Sequence, residues 1–187
     1  IEPNEIAVEP ETGKPVPMRR IKTLPTQALV ELWVERLDGL SYRRYVLERV
    51  ADPKAVARTE VAAADGPVTL ENQHYRLVVE PAQGAVVSWY DKALARELVE
   101  QKDGWAFGQL LYARGGEGTR LVSNQSDLPD GNPEVLGGFR LIACEVRRFE
   151  YGAALCLKGE VDCGELTVTW SLPDRAKWVD VQFTLNK

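Results

Sequence analysis

Hydrophobic and polar residues alternate with a period of two over much of this chain, most regularly toward its C-terminus. In residues 166–172, Leu166, Val168, Trp170 and Leu172 fall on one side, and Thr167, Thr169 and Ser171 on the other. Residues 178–185 repeat the pattern, with Val179, Val181, Phe183 and Leu185 against Trp178, Asp180, Gln182 and Thr184. Successive side chains of a strand point to opposite faces, so each run predicts a strand with one face on a core and the other in water. Pro173-Asp174-Arg175 lies between them and predicts a hairpin turn, because proline presets φ and aspartate bonds neighbouring backbone. Residues 139–149, with Ile142, Cys144 and Val146 in phase, and residues 153–161 predict two more strands, joined by a bend at Tyr151-Gly152. Tyr75, Leu77 and Val79 alternate with Arg76, Val78 and Glu80. Pro81-Ala82-Gln83-Gly84 then turns the chain, with Gly84 in the left-handed position, and residues 85–90 return. Residues 28–36 predict a strand near the N-terminus. Residues 94–100 are the one stretch in the middle that predicts a helix. Short strands at this spacing, with turn residues between them, predict an all-β antiparallel sandwich.

Two stretches do not fit the alternation. The Ala-rich residues 51–66, with Asp52-Pro53 near their start, read as a connector. Residues 114–138 are rich in Gly, Asp, Asn and Pro and read as a long loop, a kind of segment that either approaches a ligand or neighbouring domain or is a surface excursion.

Composition narrows the classes of function. The chain has 187 residues, 44% hydrophobic and 27% charged, with 28 acidic against 23 basic residues. A net charge of −5 argues against general nucleic-acid binding, which needs a concentrated basic patch. The local cluster Arg43, Arg44 and Arg49 reads as the solvated face of a strand. No apolar run approaches the roughly 20 residues of a membrane helix, so no membrane partner is expected. The three cysteines, Cys144, Cys156 and Cys163, lie in or beside strand-like runs and read as reduced structural thiols of a cytoplasmic protein. Ile1 is not a translation start, so further polypeptide is expected upstream.

Candidate chemistry is sparse. The single histidine, His74, adjoins a strand and reads as a solvent-facing residue. No nucleophile elbow, phosphate loop or dinucleotide fingerprint occurs. Glycosidases use paired carboxylates, but Glu160, Asp162 and Glu165 alternate outward on a strand and its turn. Asp127 and Asp130 lie in the long loop, as does the glycosylation-type triplet Asn124-Gln125-Ser126. Neither catalytic residues nor metal ligands are therefore assigned in this chain.

Several motifs together resemble a known family. Leu70-Glu71-Asn72-Gln73-His74-Tyr75-Arg76-Leu77 leads through Pro81-Ala82-Gln83-Gly84 to Ser88-Trp89-Tyr90-Asp91-Lys92 and Arg96-Glu97-Leu98-Val99. This series resembles the start of the large C-terminal β-domain of glycoside hydrolase family 38, the α-mannosidases. Phe107-Gly108-Gln109-Leu110-Leu111-Tyr112 is similar to the segment that follows there, and Thr184-Leu185-Asn186-Lys187 to a strand ending in the middle of that domain. Upstream, Gly13-Lys14-Pro15-Val16-Pro17 and Gly39-Leu40-Ser41-Tyr42-Arg43-Arg44-Tyr45 resemble the small β-domain that precedes it.

The resemblance implies a galactose-mutarotase-like supersandwich, incomplete here, over residues 67–187. Residues 1–50 would be a small β segment of a preceding domain and 51–66 the connector. It also implies a parent polypeptide whose catalytic domain holds a zinc ion and the nucleophile, with no counterpart to either in this chain. The β-domain would pack on that catalytic domain, lend one wall to the sugar pocket, and continue past Lys187. Tyr112 is the one residue the resemblance places on the substrate side. The expected role is a non-catalytic accessory domain acting on a carbohydrate substrate together with the rest of the parent. The alternative is an independent carbohydrate-binding or mutarotase-like module, with Trp89, Trp105 and Trp178 as candidate sugar platforms.

Overall fold

A computed structural model of the chain describes residues 1–2, 4–34, 37, 39–51, 60–100, 104–114 and 134–187. The described residues form strands and turns, as the alternation predicts. In chain order the strands are β1 (Glu5–Val8), β2 (Met18–Thr23), β3 (Ala28–Leu32), β4 (Val46–Arg49), β5 (Glu60–Ala63), β6 (Val68–Glu71), β7 (Tyr75–Glu80) and β8 (Ala85–Asp91). They continue with β9 (Arg96–Glu97), β10 (Tyr112–Arg114), β11 (Glu134–Leu136), β12 (Arg140–Phe149), β13 (Gly152–Val161), β14 (Gly164–Pro173) and β15 (Asp180–Asn186).

Two antiparallel sheets make the sandwich, one ordered β15-β14-β13-β12-β5 and the other β6-β7-β8-β9. Their inner rows meet in one core. Val68, Leu70, Tyr75, Leu77, Val79 and Val86 from the smaller sheet pack against Cys144, Leu155, Leu157, Leu166, Val168, Trp170 and Leu172 from the larger. Phe139 reaches across to the β7–β8 turn, where its ring lies 3.0 Å from the place a Cβ on Gly84 would take. Gly84 has φ +63°, so its lack of a side chain permits both the turn and this approach. Gly108 serves similarly: a Cβ there would come within 2.5 Å of the Trp170 ring.

The N-terminal residues form two small antiparallel pairs, β1 with β4 and β2 with β3. Ile6, Val8 and Met18 are their buried centre, flanked by Ile1, Val30, Leu32 and Val50. This unit meets the sandwich at Trp33, which packs on Phe149, Tyr151 and Ala154.

Several expectations need correction. Residues 94–100 are not helical: a turn is followed by the two-residue strand β9. The turn is set by Asp91, whose Oδ1 accepts the Ala93 and Leu94 N–H groups, and Ala95 takes a positive φ of 48°. Seven residues are also too few to repay helix nucleation. Ile142 is out of phase with Cys144, since a register shift between Leu141 and Ala143 leaves it 49% exposed. Arg43 and Arg44 precede β4 rather than lying in a strand, and His74 sits half-buried in the β6–β7 turn. The inner row of β15 is covered only in part: Val179 and Leu185 pack against the core, while Val181 and Phe183 are 38% and 46% exposed.

Within the stretch read as a connector, residues 60–63 are β5, paired with β12 at one edge of the larger sheet. The remainder of that stretch from 52 to 59 lies outside the described residues. The ends of the 114–138 loop pair as β10 and β11, while Asn124, Asp127 and Asp130 lie outside the described residues.

Candidate functional site

The residues of the 71–99 motif converge on a polar clasp between the two sheets. Asn72, in the β6–β7 turn, is buried. Its Oδ1 accepts hydrogen bonds from the His74 and Tyr75 N–H groups at 2.8 and 2.7 Å. Its Nδ2 donates to the Pro173 and Ala176 carbonyls at 2.7 and 2.9 Å, fixing the β14–β15 connection. One side chain thus serves four backbone groups, three of them in buried bonds. Tyr75 Oη donates to the Lys177 carbonyl at 3.4 Å and Gln73 Nε2 to the Arg175 carbonyl at 3.3 Å.

The charges of the motif are tied in the same way. Lys92 Nζ donates to the Asn72 carbonyl at 2.6 Å and pairs with Glu71 Oε1 at 2.7 Å. The hydrogen bond and charge of Lys92 hold the Glu71 carboxyl below its usual range. Asp91 is 2% exposed. The Leu94 N–H holds its carboxyl below the usual range, with Lys177 and the Ala93 N–H adding to this against the effect of burial. Lys177 Nζ stands 3.8 Å from Asp91 Oδ2. Burial pushes the Glu97 carboxyl up, but bonds from the Ser88 hydroxyl at 2.7 Å and the Trp89 N–H outweigh it, so the net shift is downward. Glu71, Asp91, Lys92 and Glu97 thus each meet a partner within this network, which makes the clasp a structural device.

Tyr112 lies half-buried on β10, opposite Leu136. Nearby, Gly137 is crowded by Trp105, Gln109 and Leu111, and Gln109 Nε2 donates to the Gly137 carbonyl at 2.9 Å. Tyr75, Trp89, Phe107, Trp170 and Phe183 form a row with successive ring centroids 5.6 to 6.3 Å apart. Among the described residues, the indole N–H groups of Trp89 and Trp170 within this row have no hydrogen-bond partner.

A second aromatic group marks the seam with the N-terminal unit. Trp33 stacks on Tyr151 at 5.5 Å and on Trp178 at 6.1 Å. Tyr151 Oη donates to Glu31 Oε1 at 2.8 Å; burial, with this bond, pushes the phenol well above its ordinary value. Arg19 lies over the Phe149 ring at 4.8 Å and pairs with Glu31 at 2.8 Å.

The carboxylates read as solvated lie at the surface, two of them in ion pairs. Glu160 pairs with Arg140 and Glu165 with Lys158, while Asp162 is exposed at the β13–β14 turn. Glu160 and Asp162 border a depression of about 380 Å³ with Phe139 and Arg140. A cleft of about 550 Å³ on the N-terminal unit is lined by Glu9, Glu11, Tyr42, Arg43 and Arg44, where Arg43 stands 3.9 Å from Glu9. Among the described residues no three His, Cys, Asp or Glu side chains are grouped to hold a metal ion. The three cysteines are free thiols, Cys144 buried and the other two half-buried. Desolvation pushes the Cys144 thiol up.

The sequence motif pointed to these residues but not to the clasp they build, because the partners of Asn72 lie about a hundred positions away. The available signal was an Asn in a turn, three residues before a strand aromatic. No known protein family, curated protein or solved structure matches the chain.

Proposed function

We propose that the chain is a non-catalytic accessory β-domain of an α-mannosidase-like glycoside hydrolase, supporting the catalytic part of its parent and forming one wall of the sugar pocket. The observation that carries this reading is the use of the motif residues. Glu71, Asn72, Tyr75, Asp91, Lys92 and Glu97, in which the family resemblance is concentrated, are spent on locking the sandwich. A domain whose signature residues are architectural contributes rigidity, and a rigid wall positions substrate groups without reacting with them. In this reading zinc and the nucleophile belong to the catalytic domain, and the parent works in the cytoplasm. Tyr112 supplies the contact with the sugar.

Hydrolysis of an aryl α-mannoside tests the assignment. The 187-residue chain alone gives no turnover, and the parent polypeptide gives zinc-dependent turnover. Activity of the chain alone, or a parent inactive on mannosides, overturns it. In the parent, Tyr112→Phe raises KM severalfold while the fold, followed by circular dichroism, is unchanged.

A further inference from the structure

The larger sheet has an outer face that the core does not use. Leu166, Val168, Trp170 and Leu172 of β14 point inward, so Thr167, Thr169 and Ser171 point out. Their partners across the ladder are Thr184, Gln182 and Asp180. One end of this face is covered. Ser171 pairs with Ala154, and Ala154 lies beneath Trp33 and Tyr151. The other end remains open: Gln182 and Thr184 are exposed, and Thr167 and Thr169 are half-buried. The Trp33–Trp178 stack stands at the border between the two parts, making a shelf with an aromatic wall.

Trp178 is held in place on this wall. Trp33 backs one side of its ring, and its Nε1–H donates to Asp180 Oδ2 at 3.3 Å. The residue is nevertheless 51% exposed. An exposed indole fixed in this way has little rotamer entropy left to lose on meeting a ligand. Beside it run a carboxylate, an amide and hydroxyls, repeating every second residue at roughly 6.6 Å along the strand. Hydroxyls and amides both donate and accept, as sugar hydroxyls do, and an indole face offers the apolar surface that suits the C–H face of a pyranose. Charge argues against a nucleic acid here: Lys158, which flanks Thr167, is already paired with Glu165 at 3.2 Å.

We propose that the open outer face of β14 and β15 is a carbohydrate-binding shelf, with Trp178 as the stacking platform and Asp180, Gln182, Thr169 and Thr184 as hydroxyl partners. This goes beyond the accessory role and does not depend on the parent's activity. The shelf is made by this chain alone, on residues other than Tyr112.

Titration of the 187-residue chain with mannotriose and with cellotriose, followed by the indole N–H resonances of its five tryptophans, tests the shelf. Saturable shifts at Trp178 and Trp33 with either sugar are expected, leaving Trp105 in place. Gln182→Ala, an exposed change that leaves the fold intact, and Trp178→Ala each weaken binding by about tenfold or more, equivalent to about 1.4 kcal/mol. Trp105→Ala leaves it unchanged. Absence of saturable shifts with both sugars, shifts centred on Trp105, or full affinity in Gln182→Ala overturns the proposal. Because the readout is binding, failure here leaves the mannosidase assignment standing, and failure of that assignment leaves the shelf standing.

Discussion

The sandwich and the N-terminal unit are built from the same kind of element, a short antiparallel strand pair, but they hold together in different ways. Among the described residues, thirteen buried residues from both sheets meet in the core of the sandwich, whereas the buried cluster of the N-terminal unit is Ile6, Val8 and Met18, with the smaller Ala7, Val16 and Ala28 also buried. All four residues of β4 are exposed. An isolated two-stranded pair is marginal in water, and two of them around so small a buried cluster gain little more. The N-terminal unit therefore depends on its seam at Trp33, Arg19 and Glu31, while the sandwich carries its own stability. A strand pattern alone does not make a stable body; it needs a second layer to bury the pattern against.

This contrast can be broken most sharply in the cores. Leu157→Ala, at a fully buried site, should lower the stability of the sandwich by about 2–5 kcal/mol. Met18→Ala removes similar bulk from the other unit and should leave the sandwich within about 1 kcal/mol of the unsubstituted chain. Urea unfolding with region-resolved hydrogen exchange reads both, and equal losses across the two regions would refute the contrast. Asn72→Ala should cost about 3 kcal/mol, because it strands backbone groups on both sides of the clasp. The check is a lower urea midpoint with an unchanged slope. Trp33→Ala should release the N-terminal unit by about 2 kcal/mol. Limited proteolysis should then cut within residues 1–50 while protection of the sandwich persists.

Acid should act on the sandwich through its clasp. The Asp91 carboxyl is held below its ordinary value of 3.8, so its contribution is present above that pH and is lost as pH falls through the lowered folded value. The thermal midpoint should therefore fall below about pH 4, and Asp91→Asn should shrink that fall. The smallest effect belongs to Arg49→Ala. It removes an exposed pair with Glu2 and should change stability by under about 1 kcal/mol.

Period-two alternation revealed most of the strands, since it follows directly from backbone geometry. The inner rows of β7 and β14 and the turns at Gly84 and Pro173 are where the pattern places them. Alternation tells which face differs from the other, not whether a second layer lies opposite. For this reason Val181 and Phe183 read as buried when the smaller sheet leaves them open. The bulge at Ile142 leaves no mark in the alternation, because one inserted residue leaves composition unchanged while it shifts the register and exposes the side chain. Residues 94–100 look helical by composition, but the turn closed on Asp91 passes through Ala95 at a positive φ of 48°, outside the helical region, and the chain continues as β9. The clasp was legible only as a motif, and the Trp33–Trp178 stack not at all. Both join residues too far apart in the chain for local pattern to report.

The long reach of Asn72 has a consequence in time. Its partners at Pro173 and Ala176 lie 101 and 104 residues downstream. At a synthesis rate of roughly 5–20 residues per second, that stretch takes about 5–20 seconds to emerge. For the middle part of that interval, after β9 and before β12 to β14 have emerged, the hairpins of the smaller sheet are complete but their apolar face has no opposite layer. The nascent chain thus carries its most adhesive surface early and conceals it late, so its yield in the cell should track chaperone supply during synthesis more closely than the equilibrium stability of the finished fold.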